Sequence, residues 1–226
     1  MTRQRSDSAD RRPLASRQHR VFQRMAASLA ARGVPPNAIS VSSLVLGIAA
    51  GVVLIATSWS DDLGIRLCWL ASAGLIQSRL LANMLDGMVA IDSGRASPIG
   101  ELYNEVPDRV SDTAILIGAG YALGGLPVLG YVAAIIAISV AYIRAIGASI
   151  GAGNAFHGPM AKPHRMFIMI VVCVYCGIAP NTWQPVDVGT GMGIVTGALV
   201  VIIVGGGITA VRRLLFIASS VRKQDS

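Results

Sequence analysis

Charged residues make up only 14% of this 226-residue chain, aromatics only 5%, and cysteine occurs just 3 times. Soluble domains carry roughly 25% charged side chains, so the first shortage argues against a water-soluble globule. A disordered chain needs low hydrophobicity and high charge, whereas 53% of these residues are apolar and mean hydropathy is +0.60. Cys68, Cys173 and Cys176 all lie in apolar runs. Cys173 and Cys176 form a C-x-x-C with no second thiol pair, which reads as small residues packing in a lipid-embedded helix rather than a metal or redox site. An apolar leader is missing too: the first 32 residues are polar and basic, so no cleavable signal is expected. Glycine, by contrast, is plentiful at 25 residues, which suits close-packed helices in lipid. The class that remains is an all-α integral membrane protein.

The net charge of +7 is gathered at the ends. Arg3, Arg5, Arg11, Arg12, Arg17, Arg20, Arg24 and Arg32 open the chain; Arg212, Arg213, Arg222 and Lys223 close it. Because these charges flank apolar spans, positive-inside topology and anionic headgroups account for them better than nucleic acid does. A crossing helix needs roughly 20 apolar residues. Six stretches qualify: 38–57, 67–91, two halves of 113–143 divided at Gly124-Gly125-Leu126-Pro127, 166–179 with neighbouring residues, and 188–211. The segments near Trp59, Asp61 and Asp62, at 124–127 and at 180–187 contain no Lys or Arg, whereas the opposite ones hold Arg95, Arg109, Lys162 and Arg165. The expectation is a multi-pass protein of the cell membrane (the inner or plasma membrane in a prokaryote), with six transmembrane helices and both termini cytoplasmic. Residues 17–32, with Val21, Met25 and Leu29 on one stripe, are expected to form an N-terminal cytoplasmic interfacial helix. This divides the chain into a basic N-terminal segment (1–33), a six-helix domain (34–216) and a basic cytoplasmic tail (217–226).

Ionisable residues within membrane spans are costly and default to a functional reading. Asn83 and Asp86 are three apart near the end of the second span, and Asn104, Asp108 and Asp112 follow at intervals of four as the third begins. Such spacings put each set on one helix face. Two antiparallel helices joined by a short loop would bring the sets together as an oxygen-rich pocket suited to Mg²⁺ or Mn²⁺. Gly87 and Gly100 would permit close approach. A cationic group follows the fourth span, with Arg144 and then Lys162, His164 and Arg165. Cations beside a carboxylate-metal site suit a diphosphate, although Lys162 and Arg165 read equally well as topology-setting loop charges. Arg79, one turn before Asn83, could pair within that face or with a lipid phosphate. His157 and His164 read more readily as solvated loop residues than as catalysts.

The run NMLDGMVAIDSGRASPIGELYNEVPD, residues 83–108, resembles the D-x2-D-G-x2-A-R-x8-G-x3-D-x3-D motif of the CDP-alcohol phosphotransferase family. Asp86, Gly87, Ala90, Gly100 and Asp108 match in identity, while Asn83, Asn104 and Ile91 replace two aspartates and the arginine. Pro36-Asn37 with Ser40 is similar to the family's opening of the first span, and Asp108-Arg109, Asp112 and Tyr142-Ile143-Arg144-Ala145 look like its inositol-phosphate branch. In the family, four aspartates hold two divalent ions and the last acts as base. The resemblance thus implies Asp86, Asp108, Asn83, Asn104 and Asp112 around one or two ions, with Asp108 as a ligand or as the general base. Three carboxylates, Asp86, Asp108 and Asp112, match one ion; a second would arrive only with the substrate. Glu101 is the better placed spare ligand and Glu105 the poorer one.

The implied reaction moves a phosphatidyl group from a CDP-alcohol, with CDP-diacylglycerol (CDP-DAG) as the leading candidate, to an acceptor alcohol and releases CMP. Gly87 and Ala90 would pass the cytidine, while Arg144, Lys162 and Arg165 would neutralise phosphate charge. The acceptor is left open among a polyol phosphate, glycerol phosphate and serine. Two competing readings are a degenerate family member that binds lipid or a partner without turnover, and a transporter, against which stands the clustering of the carboxylates at one membrane face. Membrane lipids are expected partners, and the glycine-rich last span could pack a second copy as a homodimer.

Overall fold

The computed structural model describes residues 20–94, 98–153 and 156–224. The basic residues Arg3 to Arg17, with Arg95, lie outside them, and the Glu101 side chain is not described either. Among the described residues the chain is helical, with no strand: α1 (Arg20–Ala31), α2 (Pro36–Ala56), α3 (Asp62–Asp92), α4 (Pro98–Tyr121), α5 (Pro127–Ser149), α6 (Lys162–Ile178) and α7 (Ile194–Gln224), with a single 3-10 turn at Asn181–Trp183. Prolines at the first turns of α2, α5 and α6 begin those helices where a missing N–H costs nothing. Asp61 caps α3 by accepting from the Gly64 N–H at 2.8 Å. Three helices, α2, α5 and α7, are long and apolar enough to cross a membrane. The others carry most of the charges that make the site.

Two details depart from the sequence reading. The last helix starts at Ile194, because residues 188–193 form a glycine-rich turn, and it runs on to Gln224, so most of the expected separate tail is helix. In α1, Val21 and Met25 are exposed, while Phe22, Ala26 and Leu29 pack on Met84, Leu85, Met88 and Val89 of α3. A 3.6-residue period admits both stripes; packing against α3 selects the one that carries Phe22.

Helix α2 packs against both α3 and α4, α4 leads to α5 and α5 to α7, and α6 lies on α3, whereas α3 and α4 make little direct backbone contact. The α2–α4 crossing is close because Gly47 and Gly51 form a small-x3-small seam. A Cβ at Gly51 would stand 2.4 Å from the Ala114 carbonyl oxygen, and one at Gly47 would stand 2.5 Å from Ser111 Cβ. Gly51→Val is therefore expected to destabilise the protein by about 1–3 kcal/mol, the usual cost of overpacking. Gly207→Ala, whose Cβ meets nothing within 4 Å, should melt like the parent. Thermal unfolding in detergent compares the two.

At the end of the bundle where α2, α4 and α6 finish, polar contacts fasten the connections. Thr57 Oγ1 accepts from the Leu123 N–H at 2.9 Å, and Ser58 Oγ donates to the Tyr121 carbonyl at 2.7 Å. The Gly124 carbonyl accepts from the N–H groups of Gly193 (2.9 Å) and Thr196 (3.1 Å) and from Thr196 Oγ1 (2.8 Å). Arg66 joins α3 to the Ile178 carbonyl at 3.3 Å. The motif residues lie at the opposite end.

Candidate active site

Asn83 and Asp86 project from the last turns of α3, Asn104 and Asp108 from the first half of α4, and Asp112 from just past its middle. The gap between these helices is crossed by side chains. Asn104 Nδ2 donates to Asp86 Oδ1 at 3.0 Å, and Asn83 Nδ2 donates to Asn104 Oδ1 at 3.2 Å and to Asp108 Oδ1 at 2.8 Å. Ser40, from the first turn of α2, donates to Asp86 Oδ2 at 2.6 Å. The helical spacings thus place both halves of the motif in one hydrogen-bonded string.

Cations close the string on one side. Arg79, fully buried on α3, lies 3.0 Å from Asp108 Oδ1 and 2.9 Å from Asp112 Oδ1. Lys162, at the start of α6, pairs with Asp108 Oδ2 and donates to Asn83 Oδ1 at 2.8 Å. Arg165, one turn further, is buried; it lies 3.0 Å from Asp112 Oδ2 and donates to the Met160 carbonyl at 3.1 Å. Asp108 and Asp112 thus each meet two cations. Asp86, also buried, meets none within ion-pair distance among the described residues; its partners are a hydroxyl and an amide.

A cavity of about 420 Å³ opens beside this network, lined by Phe22 of α1, Asn83 of α3, Asn104, Asp108 and Arg109 of α4, Arg144 of α5, Lys162 of α6 and Arg213 of α7. Asp108 is the one motif carboxylate facing it, since Asp86 and Asp112 are not among its walls. At the mouth, Glu105 bridges Arg109 (2.8 Å) and Arg144 (2.6 Å). Gly87 and Ala90 are half-buried on α3 below Asp86, and Gly100 lies in the first turn of α4. None of the three lines the cavity.

Of the cations expected around the substrate, Lys162 and Arg144 line the cavity with partly exposed side chains. Arg165 touches its wall but spends its guanidinium on Asp112 and a carbonyl. Asp112 is likewise enclosed by Arg79 and Arg165, which leaves it away from the string of Asn83, Asn104, Asp86 and Asp108. Ser40 and Glu105 are the residues whose contacts spacing undervalued. Ser40 was signalled only by its place after Pro36-Asn37, and Glu105 only as the poorer spare ligand, whereas it pairs with Arg109 and Arg144.

Among the described residues, no three Asp, Glu, His or Cys side chains gather as a ready metal cage. The donor set nevertheless suits a hard divalent cation at Asp86. That carboxylate has no ionic partner among the described residues, and Asn83 and Asn104 each carry an amide oxygen that could turn toward an ion.

No protein-family model matches the chain. Archaetidylinositol phosphate synthase of Aeropyrum pernix is 29% identical over 154 residues, 68% of this chain and 72% of the relative. Phosphatidylinositol phosphate synthase of Streptomyces avermitilis is 25% identical over 213 residues, 92% of this chain and 82% of the relative. The fold is shared with the Mycobacterium tuberculosis phosphatidylinositol phosphate synthase. Its structure with CDP-DAG bound has a TM-score of 0.69 at 19% identity, covering 88% of this chain and 94% of that one. The same enzyme in complex with manganese and citrate gives a TM-score of 0.68 at 19% identity, covering 87% and 88%. The motif run, the helical arrangement and these relatives agree, and together they make the chain similar to the CDP-alcohol phosphotransferase family of membrane enzymes.

Proposed function

We propose that this CDP-alcohol phosphatidyltransferase uses CDP-DAG as donor and an inositol phosphate as acceptor, releasing CMP. The observation that carries the reading is a cavity with Asp108 on one wall and Arg144 and Arg109 at its mouth. One relative's name specifies phosphatidylinositol phosphate and the other archaetidylinositol phosphate, which supports the acceptor, and the CDP-DAG-bound neighbour supports the donor. In this reading all six helices α2 to α7 cross the bilayer with both termini cytoplasmic. Helix α1 lies at the cytoplasmic interface, with Val21 and Met25 turned to lipid.

Asp108 Oδ1 already accepts from Arg79 and Asn83, whereas Oδ2 meets Lys162 alone. A carboxylate oxygen has two acceptor positions, so Oδ2 keeps one for the acceptor's hydroxyl proton. Asp108 takes that proton as the hydroxyl attacks the phosphorus bearing the lipid group. A divalent ion, Mg²⁺ or Mn²⁺, held by Asp86 with the amide oxygen of Asn104, would supply charge neutralisation at the diphosphate. Lys162 adds a fixed positive charge beside Asp108. Arg144, and Arg109 with it, exchange Glu105 for the acceptor's phosphate, a charge-assisted contact that fixes the attacking group in position. Arg79, Asp112 and Arg165 hold α3, α4 and α6 in register beneath.

The test is CMP release by purified protein supplied with CDP-DAG and an inositol phosphate. Arg144→Ala should raise KM for the inositol phosphate about tenfold or more, the loss of a charged hydrogen bond, with KM for CDP-DAG little changed. Release with glycerol phosphate or serine but not with inositol phosphate would overturn the acceptor. No release with any alcohol would leave the non-catalytic lipid-binding reading.

A further inference from the structure

Resting on the transferase reading, we infer that Lys162 stands in for one of the two divalent ions that the family resemblance implies, so that the site takes a single ion, at Asp86. Around the site, the charges of Asp86, Asp108 and Asp112 are matched one for one by Arg79, Lys162 and Arg165. The match is uneven in space. Asp108 and Asp112 each face two cations, whereas among the described residues Asp86 meets only the neutral donors Ser40 and Asn104.

The two asparagines mark the same division. Asn83 turns its amide nitrogen to Asp108 and its amide oxygen to the Lys162 ammonium. The ammonium thus sits between Asn83 and Asp108, as a metal ion would between two aspartates. A lysine there delivers a single charge tethered to the chain, and it suits an amide oxygen on one side with a carboxylate on the other. A second divalent ion at Asp108 would have to displace Lys162 and sit beside Arg79 with no additional carboxylate to offset it. At Asp86 no cation has to leave: rotation of the Asn104 amide exchanges an N–H for an oxygen, and the ion supplies the missing charge. Asn83 is therefore matched to Lys162 and Asn104 to Asp86, and the substitutions need not signal a decayed site.

The experiment is a Mn²⁺ titration of the detergent-purified full chain with CDP-DAG present, read by calorimetric stoichiometry and by the electron paramagnetic resonance of bound Mn²⁺. The wild type should saturate at one ion per chain with the spectrum of an isolated ion. Asp86→Asn should lose it. The triple variant Asn83→Asp, Asn104→Asp, Lys162→Ala should take two ions, whose closeness, about 3.5–4 Å in two-metal sites, broadens the spectrum by coupling. Two ions, or none, on the wild type overturns the inference, and that count stands even if the triple variant fails to fold. CMP release measured in parallel separates the two readings: turnover with two ions removes only the lysine substitution, whereas one bound ion without turnover removes the transferase and leaves the ion count intact.

Discussion

Asp108→Asn is expected to lower kcat for CMP release by about 10²–10⁴-fold, the usual contribution of a positioned general base. The amide preserves the shape of the carboxylate and keeps an oxygen for one of Arg79 and Lys162, but it cannot take up the acceptor's proton. Affinity for the donor should persist, and stabilisation of the variant by CDP-DAG against heat would show it. A variant that keeps a third or more of the parent's kcat would remove Asp108 from the proton-accepting role. The size of the effect follows from placement, because Asp86 and Asp112 do not line the cavity and cannot substitute for it.

The second large effect falls on stability. Arg79 has no exposed surface and joins α3 to two carboxylates of α4 across a gap that the backbones hardly bridge. Arg79→Met is expected to cost about 3–5 kcal/mol, as when one member of a buried ion pair is removed. In a chain of this size that is roughly 10 °C in Tm. Most of the loss comes from the carboxylates left behind, so adding Asp112→Asn to Arg79→Met should recover part of it. The double-mutant cycle measures this coupling directly. Melting of the single variant within about 2 °C of the parent would show that the pair is incidental to the fold.

Much of this organisation is legible in the sequence where it depends on helical repeat. The intervals from Asn83 to Asp86 and from Asn104 to Asp108 are local, and any helix over those residues aligns them. Partners across helices are another matter. Lys162 and Arg165 share a face of α6 and look interchangeable by spacing, yet one turn of depth sends Lys162 to Asp108 and Arg165 to Asp112. The difference is set by how α6 lies on α3, which no local pattern encodes. Likewise Val21 and Phe22 are adjacent and both apolar, and only the presence of α3 decides which is covered. The end of α7 is not legible from charge, because Arg212 and Arg213 close the apolar stretch yet continue the helix to Gln224.

The connections remote from the site are fastened chiefly by neutral groups, a threonine hydroxyl, a serine hydroxyl and the Gly124 carbonyl. The catalytic end is held by arginine, lysine and carboxylate. Neutral hydrogen bonds are nearly indifferent to ionic strength, whereas exposed charge pairs are screened by it. Glu105, with its two arginines, is the exposed pair at the mouth. Salt and charged ligands consequently act on one end of the bundle, and a phosphate can replace a carboxylate there while the far end keeps the helices in place.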